Sequence, residues 1–175
     1  KAMAIQLISN YQVPNDILPD ALEEYNPALQ YTYTYVSGDS NPTDQMQTGD
    51  ATIGENTWTA WDPVLENQDG GKIYNTLFNL SNLHKHEVKV TVNPMEDVTT
   101  SVTWTGLTLD KDTDSGANGT FGINRPDGGN IGDLTRISGY NLDEDDLGYE
   151  VDFDAVYDYT EDVQFGASFG WFVPG

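Results

Sequence analysis

The heptapeptide DKDTDSG sets Asp110, Asp112 and Asp114 at alternate positions ahead of Gly116. Carboxylates spaced in this way on a loop can wrap oxygen ligands around a hard cation such as Ca2+. The EF-hand form of such a loop also needs glycine at its sixth position and glutamate at its twelfth. This chain has Ser115 and Phe121 there, so calcium binding stands beside a solvated acidic loop as the two readings. A second acidic set is Glu150, Asp152 and Asp154, with Asp158 further along. Paired carboxylates about 5–9.5 Å apart across a cleft can cleave a glycosidic bond. Acidic neighbours on a polar strand face are common without catalysis, however, and no enzyme activity is expected. PDGGNIGD, residues 126–133, follows no strand and opens no helix, so it is not read as a phosphate-cradling loop. His84 and His86 flank Lys85 at a strand start. They are read as facing opposite sides, which is poor geometry for a two-histidine metal site, and as an interfacial pair instead. Lys85, Glu87 and Lys89 form a third charged set.

Composition narrows the partners. The 175 residues carry 29 Asp+Glu against 7 Lys+Arg, a formal net charge of −22. Nucleic acid is an unfavourable partner for such a chain, because neutralising phosphates needs a basic face. Cysteine is absent, which excludes disulfides and thiolate metal sites. No apolar run approaches the roughly 18 residues of a transmembrane helix. Aromatic residues make up 11% of the chain and sit in alternating runs, which argues against disorder. Lys1 opens without an initiator Met or a signal peptide, and the chain is expected to be a processed product or an excerpt.

Six segments alternate with period two, the signature of a strand with one apolar and one polar face. They lie at about 3–11, 29–35, 84–92, 98–109, 147–158 and 163–173. In the second, Leu29, Tyr31, Tyr33 and Tyr35 oppose Gln30, Thr32 and Thr34. The fifth sets Leu147, Tyr149, Val151, Phe153, Ala155 and Tyr157 against Glu150, Asp152, Asp154 and Asp158. The predicted fold is all-β: an antiparallel up-and-down meander of about six strands. NPMED and YTED read as tight hairpin turns. The connections at about 37–83 and 110–146 are long and rich in Gly, Asn, Asp and Thr, and PDALEEY offers one short helical turn. A meander places both long connections at one end and the shorter turns at the other. Outer-membrane barrels share that asymmetry, along with aromatics near strand ends. Closed barrels have at least about eight strands, so these six would be part of a larger one.

Pro27–Asp39 (PALQYTYTYVSGD), WDPVL at 61–65 and the ending LGYEVDFDAVYDYTEDVQFGASFGWFVPG at 147–175 together resemble the alginate-export family of Gram-negative outer-membrane barrels. The resemblance runs in order along nearly the whole chain. It implies the C-terminal portion of a large barrel that exports polysaccharide through its lumen, in contact with outer-membrane lipid and with the remaining strands or further copies. Glu150, Asp152, Asp154 and Asp158, then Lys85, Glu87 and Lys89, are the expected pore-lining residues of a passive channel. Their acidic balance suits cations or small neutral solutes at least as well as a polyuronate. The rival reading is an extracellular soluble or fibrous β-protein that self-associates through aromatic faces and uses acidic loops for calcium or glycan.

Overall fold

The computed structural model of the chain describes residues 1–38, 61, 71–77, 80–111 and 145–175. Six strands form one sheet in the order β1-β2-β3-β4-β5-β6, each antiparallel to the next. They are β1 (Ala4–Gln12), β2 (Ala28–Val36), β3 (Leu83–Met95), β4 (Val98–Leu109), β5 (Asp146–Thr160) and β6 (Val163–Pro174). All six expected strands are present, and the sheet is the expected meander. Among the described residues, two short α-helices lie in connections, α1 (Asp20–Glu23) and α2 (Tyr74–Leu77), with a 3-10 turn at Asn15–Ile17 ahead of α1. The hairpin turns are tighter than the sequence suggests. β3 pairs with β4 out to Met95↔Val98, past an irregularity after Val92, and β5 pairs with β6 out to Thr160↔Val163. NPM and YT therefore belong to strands, because unpaired backbone groups there can still find ladder partners.

Register decides what each face holds. On one face Tyr31, Val88, Trp104, Val151 and Trp171 fall in a single cross-strand row, and Leu29, Val90, Val102, Phe153 and Phe169 in the next. On the other face the rows read Thr32, Glu87, Thr105, Glu150, then Gln30, Lys89, Thr103, Asp152, then Ala28, Thr91, Ser101, Asp154. Burial is inverted relative to a water-soluble sheet. Phe169 and Trp171 are 64% and 65% exposed, while Glu150 and Thr105 are each 0% and Lys85 is 4%. The small apolar core lies on the polar side, at the end from which the long connections leave. It consists of Val36, Tyr74, Leu83, Leu107, Leu109 and Leu147, with Trp61, Leu77, Leu80 and Phe172 packed against it.

Leu147 corrects the sequence reading, which grouped it with Tyr149 on the aromatic face. The ladder runs Leu107↔Gly148 and then Thr108↔Asp146, so Leu147 is an extra residue that the register passes over. Such a bulge breaks the period of two. It leaves Leu147 2% exposed in the core while Tyr149 stays 41% exposed on the other side. Gly148 makes the bulge, with φ +104 and its amide donating to Asp146 Oδ1 at 2.9 Å. A Cβ at Gly148 would lie 2.1 Å from the Val173 carbonyl oxygen. Gly148→Val is therefore expected to destabilise the fold by at least about 1–3 kcal/mol. A lower denaturant midpoint at unchanged transition slope is the check.

Candidate functional site

The polar face is organised by the stretch that leads into α2. Glu150, enclosed in the middle of β5, accepts backbone N–H groups from Lys72, from Ile73 at 2.9 Å and from Tyr74 at 2.6 Å. A buried carboxylate needs such donors, since leaving it unpaired costs several kcal/mol. The long β2–β3 connection is thereby held against the face on which the acidic residues stand. Two ion pairs flank this anchor. Lys72 Nζ lies 2.9 Å from Asp154 Oδ1, which also accepts from Ser168 Oγ at 2.5 Å. Lys85 Nζ donates to Glu87 Oε2 at 3.2 Å and to the Tyr74 hydroxyl at 3.3 Å. Burial, and then the charges of Glu87, Glu150 and Asp152, push the Tyr74 phenol well above its ordinary value. It therefore stays a neutral hydroxyl facing the lysine. The Lys72 ammonium is held above its usual range by its hydrogen bond to Asp154.

Asp152 stands apart. Its Oδ1 is buried with no hydrogen-bond partner among the described residues. Gly170 faces it across the β5–β6 ladder, and a Cβ at Gly170 would come within 2.8 Å of both Asp152 Oδ1 and Lys72 Cβ. Glycine there is what lets Lys72 and Asp152 share the space.

The expected pore-lining residues thus divide. Glu150, Asp152 and Asp154 stand on the face that Lys72–Tyr74 covers, joined by Lys85 and Glu87. Lys89 lies beside a groove of about 460 Å3 lined also by Asn10, Gln12, Gln30 and Thr91. Asp158 is exposed at the hairpin end of β5 and accepts from Gln164 Nε2 at 2.6 Å. Lys72 and Tyr74 were not singled out by sequence. Nothing in GGKIYN reveals that its amides meet a glutamate roughly eighty positions later.

Of the calcium candidates, Asp112 and Asp114 lie outside the described residues. Asp110 already receives the Gly38 amide at 2.8 Å and the Tyr35 hydroxyl at 3.3 Å on Oδ2. Its Oδ1 lies 3.4 Å from His84 Nε2 and 3.7 Å from Lys111 Nζ. Among the described residues no three His, Asp or Glu side chains are grouped to hold a metal.

The histidine reading is corrected. His84 and His86 are two residues apart on β3 and so share one face. That face is the aromatic one. Tyr33 and His84 share a hydrogen bond of 2.8 Å between the hydroxyl and Nδ1, and Tyr31 and His86 one of 2.9 Å. Tyr35 packs on His84 with ring centroids 4.9 Å apart, and Tyr33 on His86 at the same separation.

Comparison of the chain with protein-family models, with curated proteins and with solved structures finds no match.

Because one carboxylate serves three amides, Glu150→Ala should free all of them together. Amide exchange at Lys72, Ile73 and Tyr74 is expected to speed up by at least about a hundredfold, the worth of one or two charge-assisted bonds. Glu150→Gln, which keeps an acceptor oxygen, should fall between. Unchanged exchange in the alanine variant would show that the segment is held by something else.

Proposed function

We propose that this chain is a section of an outer-membrane β-barrel of the alginate-export kind, acting as part of a passive channel. The observation that carries this reading is the inverted burial. Large apolar side chains stand exposed along one continuous face of all six strands, and the enclosed face is made of Thr, Ser, Lys, Glu and Asp. In water the aromatic face would be the one to bury, since covering a Phe or Leu side chain is worth about 1.5–3 kcal/mol. With lipid on the aromatic side and water on the other, each face meets a suitable solvent. Strand lengths agree, running from 9 residues in β1 and β2 to 15 in β5, against the roughly 9–11 needed to cross a bilayer. Six strands cannot close such a barrel, so β1 and β6 would join further strands of a longer chain or further copies.

On this reading the polar face lines the lumen, and the Lys72–Leu77 stretch, folded onto it, is a constriction. Selection would follow from width and charge, without chemistry. Glu150 is satisfied by amides, Asp154 by Lys72 and Glu87 by Lys85, so the charges of this face are largely offset within it. The amide-lined groove beside Lys89 offers hydrogen bonds to hydroxylated cargo, a polysaccharide or a small polar solute.

Electrophoresis of the detergent-extracted protein, boiled and unboiled, tests the reading. A band that shifts on boiling is expected. Phe153→Arg, placing a charge in the middle of the aromatic face, should cost about 2–4 kcal/mol of insertion free energy and abolish the shifting band. A protein that stays in water without detergent, or one that tolerates Phe153→Arg, would overturn the reading in favour of an extracellular assembly.

A further inference from the structure

Lys72, Lys85 and Lys89 stand on the polar face or over it, and the first two are neutralised in place, by Asp154 and Glu87. Lys89 differs. Among the described residues it has no ion pair and no side-chain hydrogen bond. Register explains why. Lys89 stands opposite Gln30 on β2 and Thr103 on β4, and Gln30 in turn stands opposite Asn10 on β1. The carboxylates at this level, Asp152 and Asp154, are on β5 beyond Thr103 and Ser101. That is two strands, or roughly 10 Å, away, and Asp154 is already held by Lys72. On its other side Lys89 borders the groove of about 460 Å3, whose polar walls are Asn10, Gln12, Gln30 and Thr91, with the small Ala28 leaving room between them. No acidic residue is among its lining. The amides are oriented by one another. Gln30 Nε2 donates to Asn10 Oδ1 at 2.7 Å, and Gln12 Nε2 donates to Asn26 Oδ1 at 2.9 Å and to the Pro27 carbonyl at 3.0 Å. Asn10 Nδ2 is left as a donor, Gln12 Oε1 and Gln30 Oε1 as acceptors, and the Thr91 hydroxyl can serve either way.

We infer that this groove binds a small monocarboxylate carrying several hydroxyls, its carboxylate on Lys89 Nζ and Asn10 Nδ2 and its hydroxyls on the side-chain oxygens of Gln12 and Gln30. The inference deepens the channel reading by naming a class of solute. It rests on that reading for the solute's passage, whereas the binding itself needs only the groove. The class follows from what the walls offer. One ammonium without a counter-charge calls for one negative charge, and a bond between two ionised groups is about twice as strong as a neutral one. A neutral polyol would leave that ammonium unmatched. A halide or a bare carboxylate would leave the two amide oxygens without donors. A cation is repelled by Lys89, and an amino acid would bring its own ammonium beside it. A hydroxylated carboxylate meets every group, and the volume lies in the range of small-molecule sites.

The test follows the side-chain amide signals of Asn10, Gln12 and Gln30 by heteronuclear NMR, with the purified protein in micelles of an uncharged detergent. Sodium gluconate, sorbitol and sodium acetate are titrated in turn. Gluconate is expected to bind at least about tenfold more tightly than sorbitol, the worth of one charge-assisted hydrogen bond, and more tightly than acetate, which brings no hydroxyls. Lys89→Gln should erase the advantage over sorbitol, and Lys89→Arg should keep it. Gln30→Leu should shrink the advantage over acetate and leave the one over sorbitol. Equal affinity for gluconate and sorbitol, or an advantage that survives in Lys89→Gln, would overturn the inference. Equal affinity for gluconate and acetate would overturn it too, assigning the groove to any small anion. The channel reading fails separately. A gluconate preference in a protein whose band does not shift on boiling would remove the channel and leave the binding site standing, whereas a shifting band without the preference would remove the binding site alone.

Discussion

The arrangement of the polar face depends on one buried carboxylate. Glu150 has no access to water, and its oxygens are satisfied by consecutive backbone amides of a segment far away in sequence. An ionised carboxylate in that position is tolerable only because those donors are present. The dependence runs both ways, because the amides that open α2 are orphan donors until an acceptor reaches them. Once the segment is seated, Lys72 reaches Asp154 and the Tyr74 ring closes over Lys85, whose ammonium lies 5.9 Å from the ring centroid. Tyr74 also adds its ring to the apolar cluster at the rim.

A second set of contacts secures the roots of the long connections. Asn82 adopts a left-handed conformation just before β3, with φ 52. Its side chain accepts from the Lys111 amide at 2.9 Å and donates to the Lys111 carbonyl at 3.1 Å. Ser37 accepts the Trp61 amide and donates its own to the Met3 carbonyl, while Ser81 bonds the Trp61 carbonyl through its hydroxyl at 2.6 Å. β2, β3 and β4 are thus tied to one another beyond the ladder itself. Tyr35, Asp110 and Gly38 do the same on the aromatic side of the rim. Among the described residues the rim holds the buried apolar cluster, and side chains become more exposed toward the hairpin turns.

The two faces of the sheet ask for different surroundings. A row of exposed Phe, Trp, Tyr and Val is expensive in water, whereas a row of Thr, Lys, Glu and Asp is expensive in hydrocarbon. The sheet satisfies most of the polar face internally, through amides, ion pairs and a serine hydroxyl, with Asp152 Oδ1 and Thr105 Oγ1 the buried exceptions among the described strand residues, and leaves the apolar face bare. That division of labour underlies both the channel reading and the placement of the histidines, which sit where a charge-poor face reaches the rim.

Much of this was legible in the sequence, because a period of two needs no tertiary information. Alternation of the kind seen in TYTYV, HEVKV and YEVDFDAVY marks each of the six strands and its two faces, and the lengths of the connections indicate which ends they share. Where the alternation is interrupted, the sequence misled: Leu147 continues the apolar pattern in writing but not in space, because Gly148 can take a positive φ and insert an extra residue. The side to which His84 and His86 belong follows from the same periodicity once it is counted correctly. What only the tertiary structure decided is which face is enclosed and by what. The amides of Lys72, Ile73 and Tyr74 carry no mark of their partner, since every residue but proline offers the same N–H. The sequence by itself determined the strands, their order and the chemistry of each face. Long-range docking of a backbone segment onto Glu150 decided the rest, because a buried charge is satisfied by whatever donors the fold brings to it.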